Sequence, residues 1–258
     1  MHRNVLQGLL LLIVLLFPLP AMAQTEIELG DVIKTLEEPF KDKASAPSAI
    51  ADFQADFFQE SRVASLDRTQ KGSGRVTVKF DRSRSDRPAP PMFRWEYEQP
   101  VRQEIVSNGK TIWVYVPENN QVIQTDIDAA AQPRGDDPMA FLTGLGNLSR
   151  DFQITWASPN RDGQGNPVLE LQPRQSSAML QKLLVVVSRD AVAERSRRGK
   201  PGSIFPIIST TVYDPSDNST RIEFSGVRVN RKTPDSFFKF DIPKGVEVVR
   251  PNGQGMGF

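Results

Sequence analysis

From Gly74 onward the chain alternates apolar and polar residues with a period of two, and no other feature limits its fold as tightly. Val76, Val78 and Phe80 alternate with Arg75, Thr77 and Lys79, and Phe93, Trp95 and Tyr97 alternate with Arg94, Glu96 and Glu98. Side chains two apart share one face of a strand, so each run predicts a strand with one buried face. Further strands are predicted over Arg102 to Ser107, Thr111 to Val116, Gln121 to Ile127, Phe152 to Ala157, Val168 to Gln172, Leu183 to Ser188, Ile207 to Tyr213, Thr220 to Val229, Phe237 to Phe240 and Val246 to Val249. Asn108-Gly109 marks a hairpin, because both residues tolerate positive φ. Short strands joined by local turns imply a meandering antiparallel sheet, curved or closed enough to manage its edges.

The rest of the chain follows other periods. Asp31 to Phe40 carries Val32, Ile33, Leu36 and Phe40 at helical spacing and predicts a short amphipathic helix whose end Pro39 disturbs. Lys41 to Ser48 reads as a linker. Ile50 to Arg62 fits two periods, Ile50, Phe53 and Phe57 as a helix or Phe53, Ala55, Phe57 and Gln59 as a strand. Asp128 to Ser149 carries Pro133, Gly135 and Pro138 and then Met139, Phe141, Leu142, Leu145 and Leu148. It reads as a loop with one or two short helices crossing the sheet, or as a helix sealing one end of a barrel.

Residues 1–23 have the layout of an export signal: Arg3, an apolar run from Val5 to Phe17, and Ala21-Met22-Ala23 before Gln24. The expected mature chain, 24–258, forms a single domain. Removing the signal takes Arg3 and no acid, leaving 31 basic against 31 acidic residues. Such a balance gives no reason to expect a nucleic-acid partner. Cysteine is absent, so neither disulfides nor a lipid-modified amino-terminal cysteine is available, and the core alone must hold the fold. The one histidine, His2, lies within the signal. A mature chain without histidine or cysteine excludes serine triads, thiol nucleophiles and nearly all zinc sites.

The strand Thr111 to Val116 is apolar on both faces, with Ile112, Val114 and Val116 on one and Trp113 and Tyr115 on the other. Both faces need cover, either from a two-layer core or from helices and an apolar ligand. Trp95, Trp113 and Trp156 suit a cavity with a wet mouth, since each joins a large apolar ring to a polar edge. Carboxylate pairs occur at Glu96/Glu98, Asp126/Asp128 and Asp136/Asp137. The first pair shares a strand face opposite Phe93, Trp95 and Tyr97, which reads as a solvated face rather than a glycosidase pair. Glu194 to Gly202 is basic and rich in breakers, and reads as an exposed loop.

An ordered set of segments resembles the amino-terminal half of the outer-membrane lipoprotein carrier (LolA) family. It comprises Phe53-Gln54-Ala55-Asp56-Phe57-Phe58-Gln59, Gly72-Ser73-Gly74, Arg87-Pro88, Phe93-Arg94-Trp95-Glu96-Tyr97, Pro100, Val106 to Tyr115 and Gln121-Val122. The carboxy-terminal half is similar more loosely, in Asn218-Ser219-Thr220, Phe224, Asn230 and Phe238 to Val246, for a coverage of about Ile50 to Val249. The resemblance implies a mainly β fold, an unclosed antiparallel β-barrel with short helices forming a lid over a hydrophobic concave face. It also implies that Ile50 to Arg62 is a strand.

The function that the resemblance implies is that of a periplasmic carrier. It takes acylated lipoproteins from an inner-membrane lipoprotein-releasing ABC transporter to an outer-membrane acceptor, as a monomer, with no catalytic residue, metal or cofactor. The family's aromatic strand falls on Phe93, Trp95 and Tyr97, and with Trp113, Tyr115 and Trp156 these form the expected acyl-chain site. Its lid helix falls on Met139, Phe141, Leu142 and Leu145. Its lid latch, an arginine before proline, falls on Arg87, with Arg82 a rival because Ser83 to Pro91 is longer than in the family. Two other functions remain open, a lipid-binding sensor or assembly factor on the same half-barrel and a carboxylate-pair carbohydrate hydrolase. Amino-terminal sequencing of the exported protein is expected to begin at Gln24; recovery in membranes with the leader intact would contradict the signal assignment.

Overall fold

The computed structural model describes residues 27–41, 49–80, 90–127, 145–177, 179–199 and 203–250. The export signal, Arg82, Arg87, Met139, Phe141 and Leu142 lie outside the described residues. One sheet contains β1 (Asp52–Val63), β2 (Arg68–Lys79), β3 (Met92–Gln99), β4 (Gln103–Ser107), β5 (Thr111–Val116), β6 (Gln121–Asp126), β7 (Phe152–Arg161), β8 (Pro167–Pro173), β9 (Lys182–Val187), β10 (Ile207–Tyr213), β11 (Ser219–Val229) and β12 (Glu247–Val249). Its order is β12-β6-β5-β4-β3-β2-β1-β11-β10-β9-β8-β7, so β12 and β7 end the sheet and it does not close. The fold is therefore mainly β and unclosed, as expected. Ile50 to Arg62 is strand throughout its length from Asp52.

Two meanders make up the sheet, β1 to β6 and β7 to β11, and β1 joins them by pairing with β11. All the ladders are antiparallel except that of β12 with β6. The β4–β5 hairpin turns at Asn108-Gly109, where Gly109 has φ of 81° and the Asn108 carboxamide oxygen accepts from the Lys110 and Thr111 amides. Among the described residues the α-helices are α1 (Leu29–Glu37), α2 (Leu148–Asp151) and α3 (Arg189–Arg198), beside short turns of 3₁₀ helix. Among the described residues no helix is long and apolar enough to cross a membrane.

The inner face of the sheet carries the main core. Phe53, Phe57, Val76, Val78, Phe93 and Trp95 join Leu169, Leu171, Leu183, Val185, Val187, Ile222 and Phe224 in one cluster with Val32 and Leu36 of α1. Residues from β3 and β8, six strand positions apart, can meet in one cluster only if the sheet curves around α1.

The outer face has its own cover, made by the chain after β11. Asp52, 3% exposed, accepts from the Arg231 and Lys232 amides and the Thr233 hydroxyl. Lys79 donates to the Thr233 carbonyl and to Asp235. Arg94 pairs with Glu104, donates to the Phe237 and Lys239 carbonyls and lies 5.2 Å over the Phe237 ring. Burial pulls its pKa below the usual arginine value, with Glu96 opposing. Phe240 then stacks on Trp113 at 6.1 Å and lies 5.9 Å from Tyr115. Val106, Val122 and Phe238 are inaccessible to solvent on this side.

Two expectations are corrected here. Phe237 to Phe240 is not a strand: Asp235–Phe238 is a turn of 3₁₀ helix behind Pro234, and Lys79 and Arg94 bond the segment to the sheet surface in place of a ladder. Glu194 to Gly202 is not simply an exposed loop, because α3 runs through Arg198. Its start is capped by the Ser188 hydroxyl, which accepts from the Ala191 amide, and its end by Gly199 with φ of 66°. Lys200 to Gly202 fall outside the described residues.

One glycine of the Gly72-Ser73-Gly74 segment is fixed by close packing. A Cβ at Gly74 would stand 1.9 Å from the Glu96 carbonyl oxygen and 2.9 Å from its carbon, where the β2–β3 register shifts. Backbone cannot give way as a flexible side chain can. Gly74→Ala is therefore expected to destabilise the protein by about 2–4 kcal/mol in denaturant unfolding, whereas Gly163→Ala, with nothing within 4 Å of its added Cβ, should be near neutral. Equal midpoints for the two variants would refute the contact.

Candidate functional site

The inner face of β1, β2, β3 and β11 is built of rings. Alternation along β3 turns Phe93, Trp95 and Tyr97 inward, and across β2, where Gly74 stands between Phe57 and Tyr97, Phe57 of β1 comes to 4.6 Å from Trp95 and 4.9 Å from Tyr97 between ring centroids. Phe224 of β11 lies 6.4 Å from Trp95, and Phe53 lies 4.6 Å from Phe205. The Tyr97 hydroxyl donates to the Gln59 carboxamide at 2.6 Å, so the ring's polar end is satisfied at the edge of the cluster. Trp95 differs. It is 2% exposed and its buried Nε1 has no hydrogen-bond partner, which leaves a donor in an apolar setting where an acceptor would be favourable.

Trp156 faces the same side from β7, opposite Leu169, and packs on the main core while half-buried. Phe93 is 5% exposed and sits within the core. Trp113 and Tyr115 do not join these residues. The ladders place Val106 opposite Trp113 and Ile105 opposite both Trp95 and Val114, so Ile112, Val114 and Val116 point inward and the two aromatic residues outward. The second apolar face of β5 is thus covered by the chain's own carboxy-terminal segment. Glu96 lies outward too, opposite Glu104, and Glu98 pairs with Arg75 at 3.3 Å.

The inner face is covered by α1 and by the chain around α2. Val32 and Leu36 are inaccessible to solvent, and Leu145 and Leu148 are buried beside them in the core. Polar contacts hold α1 at both sides. Glu37 accepts from the Ser149 amide of α2 at 2.5 Å and pairs with Lys41 at 3.7 Å. Arg195 of α3, its side chain 11% exposed, grips Glu38 with Nε and Nη2 at 3.1 and 3.2 Å and Asp31 with Nη1 at 3.1 Å. Two-pronged binding of a carboxylate is the strong geometry for arginine. Among the described residues this is the clasp between cover and body; sequence reasoning missed it, and missed Phe205, for want of any local signal. Phe53 and Phe57, by contrast, were visible in the alternation of β1.

What this arrangement can do chemically is hold an apolar body. The described inner face offers aromatic and aliphatic surface and one unpartnered indole N–H, under a cover fastened by charge pairs. Replacing Arg195 by Met should speed hydrogen exchange of the α1 amides and lower stability by about 1–2 kcal/mol, a modest figure because Asp31 and Glu38 remain partly hydrated. Arg195→Lys should recover little of it, since an ammonium cannot grip Glu38 with two nitrogens and reach Asp31 as well. Unchanged α1 exchange in Arg195→Met would remove the clasp from consideration.

Comparison with known proteins adds the following. The profile of the family described as "Outer membrane lipoprotein carrier protein LolA" matches residues 48–197. An outer-membrane lipoprotein carrier protein of Chromobacterium violaceum is 30% identical over 78% of this chain and 87% of its own length. One of Nitrosomonas europaea is 28% identical over 93% of this chain and 96% of its own. Among solved structures, a conserved protein of Thermus thermophilus aligns with a TM-score of 0.46 at 13% identity, covering 86% of this chain and 98% of that one. A LolA superfamily protein of Nitrosomonas europaea aligns with a TM-score of 0.37 at 15% identity, covering 82% and 97%.

Proposed function

The chain belongs to the outer membrane lipoprotein carrier family, and from that premise we propose that it is a periplasmic carrier holding the acyl chains of lipoproteins against the inner face of its sheet. The observation that carries this reading is the face itself: one continuous aromatic and aliphatic surface of an unclosed sheet, under a short helix fastened by ion pairs. In the proposed cycle residues 1–23 direct export. The mature monomer accepts acylated lipoproteins from an inner-membrane lipoprotein-releasing ABC transporter and yields them to an outer-membrane acceptor.

The proposed acyl site is Phe93, Trp95, Tyr97 and Trp156 together with Phe53, Phe57 and Phe224, and α1 and Leu145 belong to its cover. Trp113 and Tyr115, which lie outward against Phe240, are left out of the proposed site. Burying a long acyl chain is worth on the order of 10 kcal/mol at ~0.8 kcal/mol per methylene. Affinity thus needs no special chemistry, and release is the harder step. A cover fastened by a few charge pairs suits that need, because opening it forfeits only a small part of the binding energy.

Single-tryptophan variants test the assignment. Bromine on an acyl chain quenches indole emission at short range, so a brominated fatty acid should quench the variants retaining Trp95 or Trp156 and spare the one retaining Trp113. Equal quenching of all three, or none with folded protein and excess fatty acid, would remove the inner face as the acyl site.

A further inference from the structure

β11 is longer than the strand beside it. It pairs with β1 as far as Val229, but with β10 only from Ser219 to Glu223. Among the described residues Phe224 to Val229 therefore belong to a ladder on one side alone. On the other side the chain leading into β10 keeps to β9 and does not pair with β11: the Pro206 carbonyl accepts from the Ser188 amide, next to Ile207 opposite Val187. Between the two segments lies an open groove of about 360 Å³, lined by Ser188, Ser203, Ile204, Phe205, Phe224 and Val227 among others. Gly226, with φ of 59°, lies where the β1–β11 register shifts, and both Val227 and Val229 beyond it pack on the main core.

We propose that this groove receives an extended peptide that adds to β11 as a strand, namely the stretch of an acylated polypeptide cargo that adjoins its lipid. The proposal rests on the acyl-carrier reading and extends it from the lipid to the polypeptide. An open ladder asks for main-chain N–H and C=O groups at strand spacing, which a hydrocarbon chain cannot supply. The groove joins apolar side chains, with Ile204 40% exposed, to the small polar Ser188, Ser203 and Ser225, a lining without charge that favours uncharged side chains in the occupant. Phe205 and Phe224, 6.2 Å apart between centroids, belong both to the groove and to the main core. A cargo whose acyl chain lies in the core thus has the beginning of its polypeptide beside the open ladder.

The test compares the free protein, the protein with palmitic acid, and the protein with a palmitoylated peptide of about six uncharged residues, the last also in a form with alternate amides N-methylated. Hydrogen exchange is read at those amides of Phe224 to Val229 that do not pair with β1. The palmitoylated peptide should slow them about tenfold, palmitic acid should leave them unchanged, and N-methylation should weaken binding about tenfold through the lost main-chain bonds. Equal affinity of plain and N-methylated peptides while palmitic acid binds would overturn the strand addition and leave the acyl reading standing. Protection already complete in the free protein would overturn it too, by showing the groove filled by the chain itself. Failure of palmitic acid and palmitoylated peptide alike to bind would take down both readings.

Discussion

The ladder between β1 and β11 holds the two halves of the molecule together. β1 to β6 and β7 to β11 are each built from neighbours in sequence, and only the run from Phe53 opposite Val229 to Arg62 opposite Ser219 makes them one sheet. The aromatic core straddles that seam. Phe53 and Phe57 on one side meet Phe224 on the other, with Trp95 a strand further off, so the register of one long-range pairing decides whether the rings meet. A slip by one residue would put Phe224 on the opposite face from Phe53, Phe57 and Trp95.

An unclosed sheet that is apolar on both faces must cover both, and the chain does so in two manners. The outer cover is anchored by buried groups: Asp52 holds three donors, Arg94 reaches two carbonyls and a ring, and Phe240 lies on Trp113. Lifting it forfeits several charge-assisted hydrogen bonds at once. The inner cover is fastened at carboxylates that remain partly in water, Asp31 and Glu38 at 39% and 31% side-chain exposure. Such pairs are worth far less, so the two covers differ in how readily they lift.

Most of the sheet was legible because alternation is a local property. β3 and β5 could be read residue by residue, and the two-faced character of Thr111 to Val116 correctly demanded two covers. What periodicity could not tell was which cover serves which face, since the partner of Trp113 and Tyr115 is Phe240, far along the chain. Phe237 to Phe240 looked like a strand for the same reason: its apolar run is real, but its bonds go to Lys79 and Arg94 rather than to a ladder. The run around Arg195 looked solvated because that arginine's own partners are not nearby in sequence. They lie 157 and 164 residues away, on α1 and just past its end. Gly74 carries no local signal beyond its family likeness; its necessity appears only once Glu96 lies across from it.

The position of β11 near the end of the chain also sets an order of assembly. A polypeptide delivered amino end first places β1 and β2 long before Ser219 arrives, and until then β1 keeps one edge without a partner and half its rings without neighbours. The outer cover comes later still, since its closing residues follow β11. The sheet is thus unable to seal itself until β11 and the segment behind it have emerged to complete the seam and the outer shell.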